Sequence, residues 1–241
     1  MVAVALTGIA AVAWGSLFPD TVDEPVTCLP RTKAADGVLS LGTLLPRTGQ
    51  YIYTGPAMDA GVRLAIKDIR DASGIPRLVV KLDDASQHDE GDPSDSTAVQ
   101  STGALLAGGV DAIIGPATSA VAVKVIDRAV CAGVIMFSPS NISPLFTTYR
   151  DNGLYFRAMP PGDVEGSVLG KLVVKDGNST AVVMSRNDVY ANPLREQIVK
   201  AIHESGGRVL ESFHYDQNAQ DYKNYVQRVR AKNPDAIVLI G

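Results

Sequence analysis

The chain has 241 residues, 46% hydrophobic and 20% charged, with a formal net charge of -4. That is enough apolar material for one large core or two modest ones. The negative balance and the absence of any run of Lys or Arg exclude the electrostatic footprint of a nucleic-acid binder.

Residues 1–18 (MVAVALTGIAAVAWGSLF) carry no charge and read as the apolar segment of a secretory signal, with Ala11-Val12-Ala13 as a small-x-small cleavage site. No Lys or Arg precedes this segment, which points to a start assigned too far downstream; an uncleaved anchor is the alternative. Either reading exports the globular part to the periplasm or the outer face of the cell membrane. Cys28 follows Pro25-Val26-Thr27 and lies too far on for lipid attachment. Export makes a disulfide chemically allowed, and Cys28 and Cys131 are the only two cysteines. Such a bond would close a very long loop, for about 4 kcal/mol in the chain-entropy account. The other reading makes Cys131 a small thiol packed at a helix end before Gly133. Both readings stay open.

Residues 19–37 mix Pro, Thr and acids without a period and read as a linker or extension. From Val38 the pattern turns regular. Strands are expected over Val38–Leu45, Leu78–Leu82, Asp111–Ile114 and Val134–Phe137, and helices over Gly55–Ala72, Ser94–Ala107 and Ser119–Ala132. In the first helix Met58, Val62, Ala65, Ile66 and Ile69 share one face, opposite Asp59, Arg63, Lys67 and Arg70. Thr54 and Pro56 start it, and Ser73-Gly74 stops it. In the third helix Val121, Val125, Ile126 and Ala129 repeat the pattern.

After Pro144 the rhythm breaks, and a short run from Leu154 to Ala158 followed by Pro160-Pro161-Gly162 reads as a crossing between lobes. A second series follows: helix Val164–Val174, strand Thr180–Met184, helix Pro193–Ser205, strand Arg208–Phe213, helix Asp221–Lys232 and strand Ala236–Ile240. Strict alternation predicts α/β architecture with parallel sheets flanked by helices. The expected organisation is an N-terminal α/β lobe over 38–158 and a partial second lobe over 159–241. A three-strand lobe ending on a central strand reads as part of a longer protein.

No catalytic or phosphate-binding motif is present: the chain lacks GxGxxG after a strand, GxxxxGK[ST], HExxH and GxSxG. His88, His203 and His214 fall in a polar loop, on a polar helix side and at a strand end, away from any metal or triad pattern. The acidic group Asp83, Asp84, Asp89, Glu90, Asp92 and Asp95 lacks EF-hand spacing and suits a loop before a helix N-terminus. No metal, cofactor or catalytic residue is expected.

Three strand-like runs end in turns rich in hydroxyls, Gly and Pro: Pro46-Arg47-Thr48-Gly49, Gly115-Pro116-Ala117-Thr118-Ser119 and Ser138-Pro139-Ser140-Asn141. In a parallel sheet such ends share one edge, so they converge on one crevice suited to a small ligand. Thr118-Ser119 opens a helix, where free N–H groups and a hydroxyl suit a carboxylate; an N-cap supplied by Ser119 alone is the plainer reading.

The stretches LGTLLPRTGQYIYTGPAMDAGVRLAIKDI, VDAIIGPATSAVAVKVIDRAVCAGVIMFSPSNISPLFT, GLYFRAMPPGDVEGSVLG and NPDAIVLIG resemble the periplasmic substrate-binding proteins of branched-chain amino acid ABC transporters, the leucine-binding type. The likeness runs from Val38 to Gly241, and the SPSNISP turn is its most specific part. It implies a two-lobed type I periplasmic-binding fold that closes by a hinge on a small polar, amino acid-like ligand. It further implies that Ser119 gives its hydroxyl to a ligand carboxylate beside Thr118, and that Ser138, Ser140, Asn141 and Ile142 form the next ligand turn. The family's amino acid binders carry Thr where this chain has Ile142, which removes a hydroxyl. Thr54 with Tyr53 falls where the family sets an aromatic residue over the ligand, and Tyr190 falls where the second lobe supplies a lid. The second-lobe tyrosine expected within Ile237–Ile240 is missing.

The resemblance implies an exported solute receptor that performs no bond chemistry and hands its cargo to a membrane ABC permease. A ligand-sensing domain of a receptor or regulator with the same fold is a second reading, and an α/β enzyme using the crevice a third.

Overall fold

The computed structural model describes residues 36–72, 79–83 and 96–241. The signal-like segment, Cys28, His88 and the acids from Asp84 to Asp95 lie outside the described residues, and so does the open question of whether Cys28 pairs with Cys131. Cys131 is not a free thiol. Among the described residues no helix is long and apolar enough to cross a membrane.

The first half alternates β1 (Val38–Thr43), α1 (Gly55–Asp71), β2 (Val79–Asp83), α2 (Thr97–Ala107), β3 (Ala112–Ile114), α3 (Ser119–Cys131), β4 (Ile135–Ser138) and β5 (Tyr155–Arg157). The second half runs α4 (Gly162–Lys175), β6 (Thr180–Ser185), α5 (Ala191–Glu204), β7 (Arg208–His214), α6 (Lys223–Lys232) and β8 (Ala236–Ile240). One parallel sheet has the order β2-β1-β3-β4-β5, and a second, also parallel, has the order β7-β6-β8. The chain is therefore an α/β protein with two parallel sheets, each flanked by helices. The run after Leu154, read from sequence as part of a crossing, is a strand of the first sheet, with Tyr155 in register with Met136.

The first core lies under α2 and α3. Val121, Val125, Ile126 and Ala129 are fully buried, as their spacing requires, against Leu105, Ile113 and Met136. Strand alternation sends Met136 and Ser138 into this layer and turns Ile135 and Phe137 to the opposite face. There the Phe137 and Phe156 rings stack with centroids 6.5 Å apart. Helix α1 forms over the expected span, with its apolar face largely open. Of its apolar face only Ile66 is buried, while Ala65 and Ile69 are exposed. The helical period is present, and among the described residues no layer covers that face.

In the second core Leu194, Ile198 and Ile202 of α5 pack on Ala181 and Val183 of β6 and on Val238 and Ile240 of β8. Helices α4 and α5 lie close because Gly170 has no side chain: a Cβ there would stand 2.6 Å from the Ala201 Cβ. In each sheet the carboxyl ends of the strands share one edge, and the connections that follow them meet across a cleft.

Candidate ligand-binding site

The turn after β3 is set by Gly115, which has φ +125° and lies so close to β1 that a Cβ would fall 1.9 Å from the Leu44 carbonyl oxygen. The chain then reaches Thr118, in extended conformation, whose Oγ1 accepts the Val121 N–H at 3.4 Å. Thr118 is thus the N-cap of α3, not Ser119, because only Thr118 has the non-helical backbone a cap requires. Ser119 is the first helical residue, 3% exposed, and its Oγ accepts the Ser143 N–H at 3.4 Å. The Ser119 hydroxyl hydrogen and the backbone N–H groups of Ser119 and Ala120 have no protein acceptor among the described residues. They form a set of donors at a helix N-terminus, where the macrodipole favours an anion.

The turn after β4 is tied to the first by serine hydroxyls. Ser138 Oγ donates to the Pro116 carbonyl at 2.6 Å and accepts the Asn141 N–H at 3.0 Å. Ser140 Oγ donates to the Ala117 carbonyl at 2.7 Å. Asn141 Nδ2 donates to the Tyr155 hydroxyl at 2.8 Å, and burial raises the Tyr155 pKa.

These turns face a cavity of about 530 Å³ between the two halves. Six of the residues singled out from sequence line it: Tyr53, Thr54, Thr118, Ser119, Ser140 and Tyr190. Ser138 and Asn141, fully buried, stand behind the lining and hold the turn. Ile142 is 5% exposed and belongs to the second core, where its side chain touches Gly162. The residue replacing the family's Thr therefore joins the halves and does not face the cavity. Thr54 takes the N-cap position of α1 without capping it, because its hydroxyl donates to the Tyr51 carbonyl at 2.8 Å.

The second wall contains residues that sequence reasoning did not assign. Arg186, directly after β6, has a side chain only 12% exposed. Its Nη2 lies 3.2 Å from Asp188 Oδ2, and Nη1 donates to the Tyr51 hydroxyl and to Gln217 Oε1. The guanidinium carbon sits 5.9 Å from the Tyr51 ring centre and 5.7 Å from that of Tyr190. Burial works against the Arg186 charge, but Asp188 and the Tyr51 hydroxyl outweigh it and its pKa is raised. Tyr190 is also raised, first by burial and then by the Glu165 charge. Asp188 Oδ1 accepts the N–H groups of Tyr190 and Ala191 at 3.0 and 2.8 Å, which fixes the start of α5. A cation at the end of a strand, four residues before Tyr190, was the available sequence signal.

A match to the periplasmic binding protein family covers residues 38–241. The Leu/Ile/Val-binding protein BraC3 of Rhizobium johnstonii is 23% identical over 90% of this chain and 58% of its own length. The branched-chain amino acid transporter substrate-binding protein LivJ of Streptococcus pneumoniae, solved with isoleucine, superposes with a TM-score of 0.70 at 24% identity, over 85% of this chain and 57% of that one. An ABC transporter solute-binding protein of R. palustris, solved with 4-hydroxybenzoate, reaches 0.75 at 16% identity, over 84% of this chain and 53% of that one. The chain thus spans little more than half the length of the proteins it resembles. These relatives are solute-binding proteins and not enzymes. Two parallel sheets, a cleft at their strand ends and a family match over residues 38–241 lead to one conclusion: the chain belongs to the periplasmic binding protein family.

Proposed function

We propose that this protein is the exported solute-binding component of an ABC transporter, holding a small acid in the cleft for delivery to a membrane permease. The candidate cargo is a branched-chain amino acid or a related carboxylate or amide. The observation that carries the reading is the set of uncommitted donors at the start of α3, where Ser119 and Ala120 line the cavity. Residues 38–158 and 159–241 act in this reading as the two jaws. Thr118, Ser119 and Ser140 take the acid, and Tyr53, Thr54 and Tyr190 close over the body of the ligand. Ser138, Asn141 and Ile142 brace the turn from behind. The names of the relatives favour an acid as cargo and differ in what it carries, isoleucine in one case and 4-hydroxybenzoate in another.

Titration calorimetry of the chain with leucine, isoleucine, valine and 4-hydroxybenzoate tests this. At least one acid binds, and Ser119→Ala weakens it about tenfold, the worth of a hydrogen bond to a charged group. Binding unaffected by Ser119→Ala would remove the acid from the α3 N-terminus.

A further inference from the structure

We infer that Arg186 reads a second oxygen acceptor on the ligand, at the end opposite the carboxylate. This rests on the solute-binding reading and narrows its cargo to small acids with a carbonyl, hydroxyl or second carboxylate oxygen across an apolar body. Three observations lead there. First, donors for one carboxylate already exist on the first wall, at Ser119 and Ala120. Second, among the described residues the charged side chains lining the cavity are Arg186 and Asp188. Asp188 is committed on both oxygens, Oδ1 to the start of α5 and Oδ2 to Arg186. It is a positioning residue whose charge is already matched by Arg186. Third, Arg186 keeps unused donors. Nη1 serves Tyr51 and Gln217, but among the described residues Nη2 meets Asp188 alone, so one of its two N–H groups remains for a ligand; Nε is sealed from the cavity.

A guanidinium carries five N–H donors in a fixed fork, and buried donors left unmade are costly. A ligand oxygen arriving at this wall meets the requirement, and a hydrocarbon end does not. The space between the walls is bordered by Met58, Tyr53 and Tyr190, which suits an apolar spacer.

Three five-carbon acids test the inference by calorimetry on the 241-residue chain: pentanoate, with no second acceptor; glutaramate, with a neutral one; and glutarate, with a charged one. Glutaramate or glutarate, or both, should bind at least tenfold tighter than pentanoate. Arg186→Met should bring that ratio close to one, with circular dichroism confirming the fold. If the variant does not fold, the ratios in the parent chain decide, together with Tyr51→Phe, which frees an Nη1 donor and should keep or raise the preference. Preference for glutarate over glutaramate identifies a charged acceptor; equal binding shows that a neutral oxygen suffices, and both support the role. Pentanoate or leucine binding with no preference overturns the Arg186 assignment and leaves the solute-binding reading standing. Binding of no acid, leucine included, overturns both.

Discussion

The first wall of the cleft presents a helix start and two serine turns whose polar atoms bond mainly to one another, whereas the second presents a guanidinium whose partners come from three separate segments. Ser138 and Ser140 reach partners 22 and 23 residues away on the neighbouring turn. Arg186 reaches Tyr51 across 135 residues, from one half of the molecule to the other. A wall made of backbone and short hydroxyls is fixed by local chemistry and presents the same donors to every acid. A wall made of one long cation is where recognition of the rest of the ligand can change without disturbing the fold. The difference divides general acid binding from cargo choice.

The largest effect is expected at the base of the first wall. Gly115→Ala forces a side chain into a positive φ and against the Leu44 carbonyl, so β1 and the β3 turn must separate. Denaturant unfolding should show a loss of about 3 kcal/mol or more. A loss under about 1 kcal/mol would mean that the turn is not held by this close approach.

Ile142 tests whether the two walls are as separate as they look, since it leaves a first-wall turn and packs in the second core. Ile142→Thr buries an unpaired hydroxyl and should cost about 2–3 kcal/mol, while Ile142→Val should cost about 1 kcal/mol. If Thr at this position faced the ligand, the substitution would strengthen acid binding at little cost in stability. Ser138→Ala is a smaller perturbation of the same turn. It leaves the Pro116 carbonyl and the Asn141 N–H without their partner, at about 1–2 kcal/mol in chemical denaturation.

How far the sequence could be read follows the same division. Alternating periods and turn residues located every strand except β5, whose three residues are too short to show a period, and the hydroxyl-rich turns after β3 and β4 indicated the first wall because their chemistry is local. The exposure of Ala65 and Ile69 on the apolar face of α1 is not legible in the sequence, since a periodic face says which side is apolar and not whether anything covers it. Which of Thr118 and Ser119 caps α3 is not legible, because Ser and Thr are equal candidates until the backbone angles of Thr118 are known. Arg186 was passed over because its meaning depends on Tyr51, Gln217 and Asp188, and no local spacing brings those four together. Ile142 was placed at the ligand by family position, whereas the packing against Gly162 and the second core puts it inside.

The smallest effect belongs at the far end of the second half, where the comparison predicts independence from the cleft. Asp235, just before β8, accepts from the Thr180 hydroxyl at 2.8 Å, the Thr180 N–H at 2.8 Å and the Ser179 N–H at 3.0 Å. These bonds, that to the Thr180 hydroxyl first, hold its carboxyl below the ordinary aspartate value. A pKa depressed in the folded state contributes stability above the unfolded value, near 4 by the usual aspartate reference, and that stability is lost as pH falls through the folded pKa. Asp235→Asn should therefore flatten part of the acid limb of a stability–pH profile below about pH 4. Glu211, lowered by its hydrogen bond to Arg228, should supply part of the slope that remains. Because Asp235 pins the amino end of β6 and Arg186 follows its carboxyl end, the ratio of glutarate to pentanoate binding should not move. A changed ratio in Asp235→Asn would show that the second wall is set by the whole strand; an unchanged acid limb would show that these bonds do not shift the carboxyl.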